Sequence, residues 1–319
     1  PEKQAAQEGQ RPDKLSYRTY FNISVTLTRG HFFVFRQLFL FPSLFTTLRP
    51  FFRTAFLTLS YFYCPTRLTM RKSALLIVTC IISQLIMSQT IRTTFEATDG
   101  KETPTYPGII AWWKNLDQKF AEVKMLTMGP TDAGFPLHLV ILSKDKDTSL
   151  ASLRKKNKRI ILINNGIHPG EPDGIDASML LARDILTNKT SLPSNVVLAI
   201  IPVYNIGGCL NRSPYYRVDQ DGPEAFGSRG NSQNLDLNRD FIKCDSKEAR
   251  SFAEIFHTCD PDVFVDNHVS NGADYQHIMT LLSSQHNKLG GAMGEFLHKT
   301  FGAALYKEMK ETDFEKVPY

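Results

Sequence analysis

The 319-residue chain is short of cysteine, short of acidic residues at one end, and without a long apolar run. Its five cysteines are Cys64, Cys80, Cys209, Cys244 and Cys259. Their spacing fits no zinc knuckle, and they are too few for a disulfide framework. The last three are expected to be small buried hydrophobes or to form one bridge. Residues 1–89 hold 11 Lys+Arg against 3 Asp+Glu, a balance of +8. With +5 for the whole chain, residues 90–319 carry −3. The basicity belongs to the leading segment, which leaves no case for nucleic-acid binding by the main body. Residues 31–63 are rich in Phe and Leu, but Arg36, Arg49, Arg53, Pro42 and Pro50 interrupt them. No stretch reaches the ~20 residues that a spanning helix needs. Internal repeats are also missing, and the chain opens on Pro1, not Met. Residues 1–69 are therefore expected to be a non-native upstream extension or disordered.

The stretch that begins at Met70 reads as a secretory signal. Arg71 and Lys72 form a basic start, residues 73–87 are apolar apart from Ser73, Thr79, Ser83 and Gln84, and Ser88 is small enough for cleavage. Cys80 comes after Thr79 and lies too early for a lipoprotein signal. This sets a signal peptide at 70–88, a domain at 89–319, and a secreted or periplasmic location. No stable membrane span is expected in the mature chain.

The domain alternates strand and helix patterns. Strands are expected at 135–143, 159–163, 196–203, 263–265 and 275–282. Helices are expected over 175–186, at 246–257 with Ser246 as cap, and over 290–305, with Trp112 and Trp113 packing a first helix. Residues 144–158 read as a charged loop. Residues 211–234 read as a long polar loop, a length that is usually functional or disordered. This alternation argues an α/β sheet with helices on both faces.

Residues 160–171 read IILINNGIHPGE. They predict a buried strand, a tight loop and a helix start, the place where open α/β sheets carry functional groups. His168 and Glu171 are three apart, so one turn presents an imidazole and a carboxylate to the same point. That suits zinc. Alone, this pair arises often by chance. His268, which comes directly after the run VFVDN, offers a second imidazole. Two His and one Glu with a fourth position open is the pattern of a catalytic zinc site.

With these motifs the chain resembles the M14 zinc carboxypeptidase family over residues 104–319. His168-Pro169-Gly170-Glu171 matches its first zinc motif, Leu235-Asp236-Leu237-Asn238-Arg239-Asp240-Phe241 its Asn-Arg motif, and His268 its third ligand. The resemblance implies a three-layer α/β/α sandwich on a mixed, mostly parallel sheet, with one zinc per chain. It implies that Asn238 and Arg239 hold a substrate carboxylate, which a guanidinium fork binds bidentately. Arg229 would stabilise the oxyanion, and Asp236 would fix the tautomer of a zinc histidine.

The expected activity is that of a secreted metallocarboxypeptidase acting on peptide or cell-wall peptide substrates with a free carboxylate. One part of the family pattern is unmatched. The acids after His268 are Asp274, Glu295, Glu308, Glu311, Asp313 and Glu315, and none comes after a buried strand. The general base is expected beyond Tyr319, with the last elements of the fold, so this chain alone is expected to be inactive. Two alternatives stay open. One is a zinc-dependent deacylase of N-acyl amino acids of the aspartoacylase kind. The other is a non-catalytic binder of carboxylate termini.

Overall fold

The computed structural model describes residues 21–27, 91–269, 279–310 and 316–318. The signal peptide expected at 70–88 lies outside these residues, as does all of 1–69 except Phe21–Leu27, the first strand, β1. Helix α1, Thr94–Ala97, opens with a reciprocal capping box between Thr93 and Glu96. Helix α2, Tyr106–Lys119, is capped by Thr105 and buries Ile109, Trp113 and Leu116. Strands β2, Val123–Pro130, and β3, Pro136–Leu142, pair antiparallel. Helix α3, Leu150–Lys155, is followed by β4, Arg159–Asn164, and α4, Asp173–Leu186. Next come β5, Val196–Ile201, and the short helix α5, Ile206–Leu210. The two-residue strands β6, Arg212–Ser213, and β7, Phe226–Gly227, brace the long loop. After a 3₁₀ turn at Leu237–Arg239 come α6, Lys247–Cys259, and β8, Val263–Val269. The chain continues through β9, Met279–Ser283, α7, His286–Leu289, α8, Gly291–Glu295, a π-helical stretch at Phe296–Gly302, α9, Ala303–Lys310, and β10, Lys316–Pro318.

The eight-stranded sheet runs β10-β9-β1-β8-β4-β5-β3-β2. Four neighbouring pairs are parallel (β1·β8, β4·β8, β4·β5, β9·β10) and three are antiparallel (β1·β9, β3·β5, β2·β3). Strand side chains alternate between faces, so each central strand feeds two cores. Val140, Ile163, Leu198 and Ile200 meet residues of α2 and α4 on one face. Leu139, Ile141, Leu162, Val197 and Ala199 meet Phe252 and Ile255 of α6 on the other. The architecture is thus the expected three-layer sandwich on a mixed sheet.

Local expectations and structure differ in four places. The charged stretch 144–158 contains α3, because Ser149 caps it and its Leu153 is fully buried. Strand β2 has no counterpart among the expected strands, since mostly half-exposed residues give it a weak pattern. Strand β8 runs four residues further than 263–265, so His268 lies inside it. The cause is its neighbours: pairing to β4 stops at Asn164↔Asp266, but pairing to β1 continues to Leu27↔Val269. The helix expected over 290–305 is present from Gly291 to Lys310, but its middle, Phe296–Gly302, is π-helical. Cys209, Cys244 and Cys259 are all free. No helix among the described residues is long and apolar enough to cross a membrane.

Candidate metal centre

The loop after β4 is built around Asn165. Its amide donates to Ser178 Oγ (2.9 Å) on α4 and to the Ile201 carbonyl (3.2 Å) on β5. Its Oδ1 accepts from Asn267 Nδ2 (2.7 Å) on β8. One buried side chain thereby ties three strand ends and a helix together. Gly166 sits at φ +65° with the Ile175 side chain 3.0 Å from where a Cβ would stand, so glycine is favoured there. The turn then closes with Glu171 N–H on the His168 carbonyl (2.8 Å).

This geometry brings His168, Glu171 and His268 together. One ligand atom from each lies within 4.8 Å of the others. His168 Nδ1 is 3.2 Å from Glu171 Oε1, and His268 Nδ1 is 3.0 Å from Glu171 Oε2. The outer nitrogens face carboxylates: His168 Nε2 lies 3.1 Å from Asp236 Oδ1, and His268 Nε2 lies 3.0 Å from Asp266 Oδ2. Donation of Nε2–H to those carboxylates leaves both Nδ1 lone pairs pointing at Glu171. In that tautomer three acceptors face one another, and a cation among them, a proton or a metal ion, offsets their repulsion. The donor set of two imidazole nitrogens and one carboxylate suits zinc, and the carboxylates behind the histidines are the usual support of such ligands. The residues therefore fit the metal.

The charged groups of the cluster shift one another's ionisation. Burial opposes ionisation of Glu171, but hydrogen bonds from His168 and His268 and the Arg217 charge hold its carboxyl well below the usual range. Burial pushes His268 down, yet the Asp266 and Glu171 carboxylates raise it to about 9. Asp236, despite some burial, is held low by His168 and Arg229.

The remaining expected residues cluster less tightly. Arg229 lies 43 % exposed at the edge, donating from Nε to Asp236 Oδ2 (3.0 Å), with Nη1 3.4 Å from His168 Nδ1. Asn238 N–H donates to Asp236 Oδ1 (3.0 Å), so Asp236 links the Asn-Arg motif to His168. Arg239 is exposed, and its Nη1 donates to the Asn238 carbonyl (2.9 Å). Two residues of the site are not among those expected from the sequence. Asp266 had a signal: it stands two before His268 on one strand, hence on the same face. Arg217, which pairs with Glu171, had none, because the loop that carries it has no periodicity.

Fold and site together place a His/Glu/His cluster with the donor set of a single metal ion at the strand-end edge of an α/β sheet. The chain belongs to the zinc carboxypeptidase family, whose model matches residues 109–289. The metallo-carboxypeptidase of Burkholderia cenocepacia is 17% identical, with 66% of this chain and 52% of that one covered at a TM-score of 0.49. Carboxypeptidase A of Helicoverpa armigera is 15% identical, with 67% and 56% covered at a TM-score of 0.49. The match thus spans about half the length of these solved structures. No curated protein sequence matches the chain.

Proposed function

We propose that this protein is a zinc metallocarboxypeptidase that hydrolyses peptide bonds next to a free C-terminal carboxylate. The observation that supports it most is the facing of two histidine Nδ1 atoms onto one buried carboxylate, in a chain of this family. His168, Glu171 and His268 would hold one zinc. When bound, the metal polarises a carbonyl and lowers the pKa of its water towards ~7. The chain's own residues bind and orient, and none of those named next is the general base. Asp236 and Asp266 keep the histidines in the ligating tautomer. Arg239, with exposed donors, and Asn238 bind the terminal carboxylate, where a planar fork gives two parallel bonds. Arg229, half-exposed beside the ligands, stabilises negative charge that develops on the substrate oxygen. Residues 70–88 direct secretion to the periplasm or the exterior in this reading; cleavage after Ser88 would take β1 away from β8, and N-terminal sequencing reads which form the mature protein has.

The test is metal content and hydrolysis in one series. Purified protein is expected to carry about one zinc per chain, lost in His168→Ala and His268→Ala variants that circular dichroism shows to be folded. Hydrolysis of a blocked dipeptide with a free carboxylate, where a general base completes the site, is expected to stop on chelation and to fall in Arg239→Lys. Hydrolysis of acetylated amino acids alone would replace this reading with a deacylase. Zinc binding with carboxylate-terminus capture but no hydrolysis would replace it with a binding module. N-terminal sequencing of the natural protein reports both the fate of residues 1–69 and the cleavage point.

A further inference from the structure

The long loop between β6 and β7 places a second cation on the metal ligands, and the reading of the site as a metal centre does not account for it. Arg217 donates from Nη2 to Glu171 Oε1, the oxygen that also faces His168. Its side chain is only 13% exposed, and its Nη1 is buried with no partner among the described residues. The guanidinium lies over Gly170, where an added Cβ would stand 3.3 Å from Arg217 Nε and 2.8 Å from the Gly227 carbonyl. Two bonds pin the loop beneath it: Gln220 Nε2 donates to the Gly170 carbonyl (3.1 Å), and Gly227 N–H to the Pro169 carbonyl (3.2 Å). Arg217 is therefore held over the ligand by the backbone on both sides. Arg229, by contrast, is taken up by Asp236 through Nε and Nη2, and its Nη1 stays 4.0 Å from Glu171.

We infer that Arg217 is the resident counter-cation of the metal centre: it contends with the metal for Glu171 and sets how tightly the site binds it. The inference rests on the metal-centre reading and deepens it. A fixed positive charge on a ligand oxygen repels a second cation, and at a side chain so little exposed water screens this repulsion only in part. The same charge withdraws electron density from the carboxylate. Both effects weaken metal binding. Arg217 is not needed to orient the carboxylate, because Glu171 Oε2 is held independently by the Val269 N–H (3.0 Å). Loss of the charge therefore leaves the ligand in place. In the metal-free protein the same pair keeps a buried carboxylate from standing unpaired, which is costly. Metal entry then exchanges one cation for another.

The test is zinc affinity of the full chain by competition with a chelator, using zinc alone as probe. Arg217→Met is expected to bind zinc at least tenfold more tightly than the wild type, and Arg217→Lys to stay close to it. Arg217→Gln, a second uncharged variant, carries the same expectation should the Met variant fail to fold. Lys124→Met, which removes an exposed cation on β2, is expected to leave affinity unchanged. Unchanged or weaker binding in a folded, uncharged Arg217 variant overturns the inference, and so does an equal gain in Lys124→Met. A wild-type chain that binds no zinc overturns the metal-centre reading itself, which is a different result.

Discussion

Gly174→Ala should destabilise this protein, although helix propensity says the opposite. Gly174 lies in the first turn of α4 and is buried. In an isolated helix the change to alanine would gain up to about 1 kcal/mol. Here the new Cβ would stand 2.4 Å from Asn267 Cβ, 2.9 Å from Asn267 Nδ2 and 3.0 Å from Asn165 Oδ1. The nearest obstacle is a Cβ on a paired strand, so it cannot rotate away. Overpacking of this kind costs about 1–3 kcal/mol, and loss of the Asn267–Asn165 bond about 1 kcal/mol more. The net expectation is a loss of about 1–3 kcal/mol, read as a lower urea midpoint at unchanged slope. Gly108 in α2 is the matched control. Its added Cβ would meet only Thr105 Oγ1 at 3.4 Å and Pro104 Cβ at 3.8 Å. Gly108→Ala is expected to be neutral or to stabilise by up to about 1 kcal/mol. Asn267 adjoins His268, so Gly174→Ala should also weaken zinc binding, and Gly108→Ala should not. Gly174→Ala with wild-type or higher stability would refute the reasoning from close approach.

Three further outcomes are expected. Asp266→Asn removes the carboxylate behind His268 and should weaken zinc affinity about 10–100-fold in a folded protein, measured by chelator competition. Burial pushes Asp176 up to about 8, with Thr103 and the Arg212 charge only partly opposing it. The folded state thus keeps a proton that the unfolded chain releases near pH ~4, so this stability is full below that pH and lost as pH rises through about 8. Asp176→Asn should flatten the fall, giving a higher melting temperature than wild type at pH 9 and little difference at pH 4. Phe252 packs on Tyr204, Phe241 and Phe264 at ring distances of 5.2, 5.0 and 5.6 Å. Phe252→Ala should cost about 3–5 kcal/mol in urea unfolding, and a loss under 1 kcal/mol would contradict the packing.

Some of the site is legible in the sequence because its chemistry is local. His168 and Glu171 are three residues apart, so strand, turn and helix start fix their relation within one stretch of chain. Ser246 as cap of α6 is legible for the same reason, its Oγ accepting from Ala249 N–H (3.0 Å). His268 stands out in the sequence, but its place inside β8 does not, because the length of that strand depends on β1 as a neighbour. Strand β2 is hidden since it packs partly on both faces at a sheet edge, Val123 and Met125 on one core and Leu126 and Met128 on the other, which leaves no alternation.

Periodicity and short spacing are properties of neighbouring residues. The alternation of strand and helix, the pair His168–Glu171 and the order of the motifs could therefore be read from the chain alone. Three-dimensional packing was needed to show that Asp236 stands behind His168, that Arg217 lies on Glu171, and that Gly174 leaves no room for a methyl group. Those contacts join residues far apart in the chain, 46 positions for Arg217 with Glu171 and 68 for Asp236 with His168. Their relation is set by the stacking of helix on sheet and by the fold of the long loop, which no local pattern records.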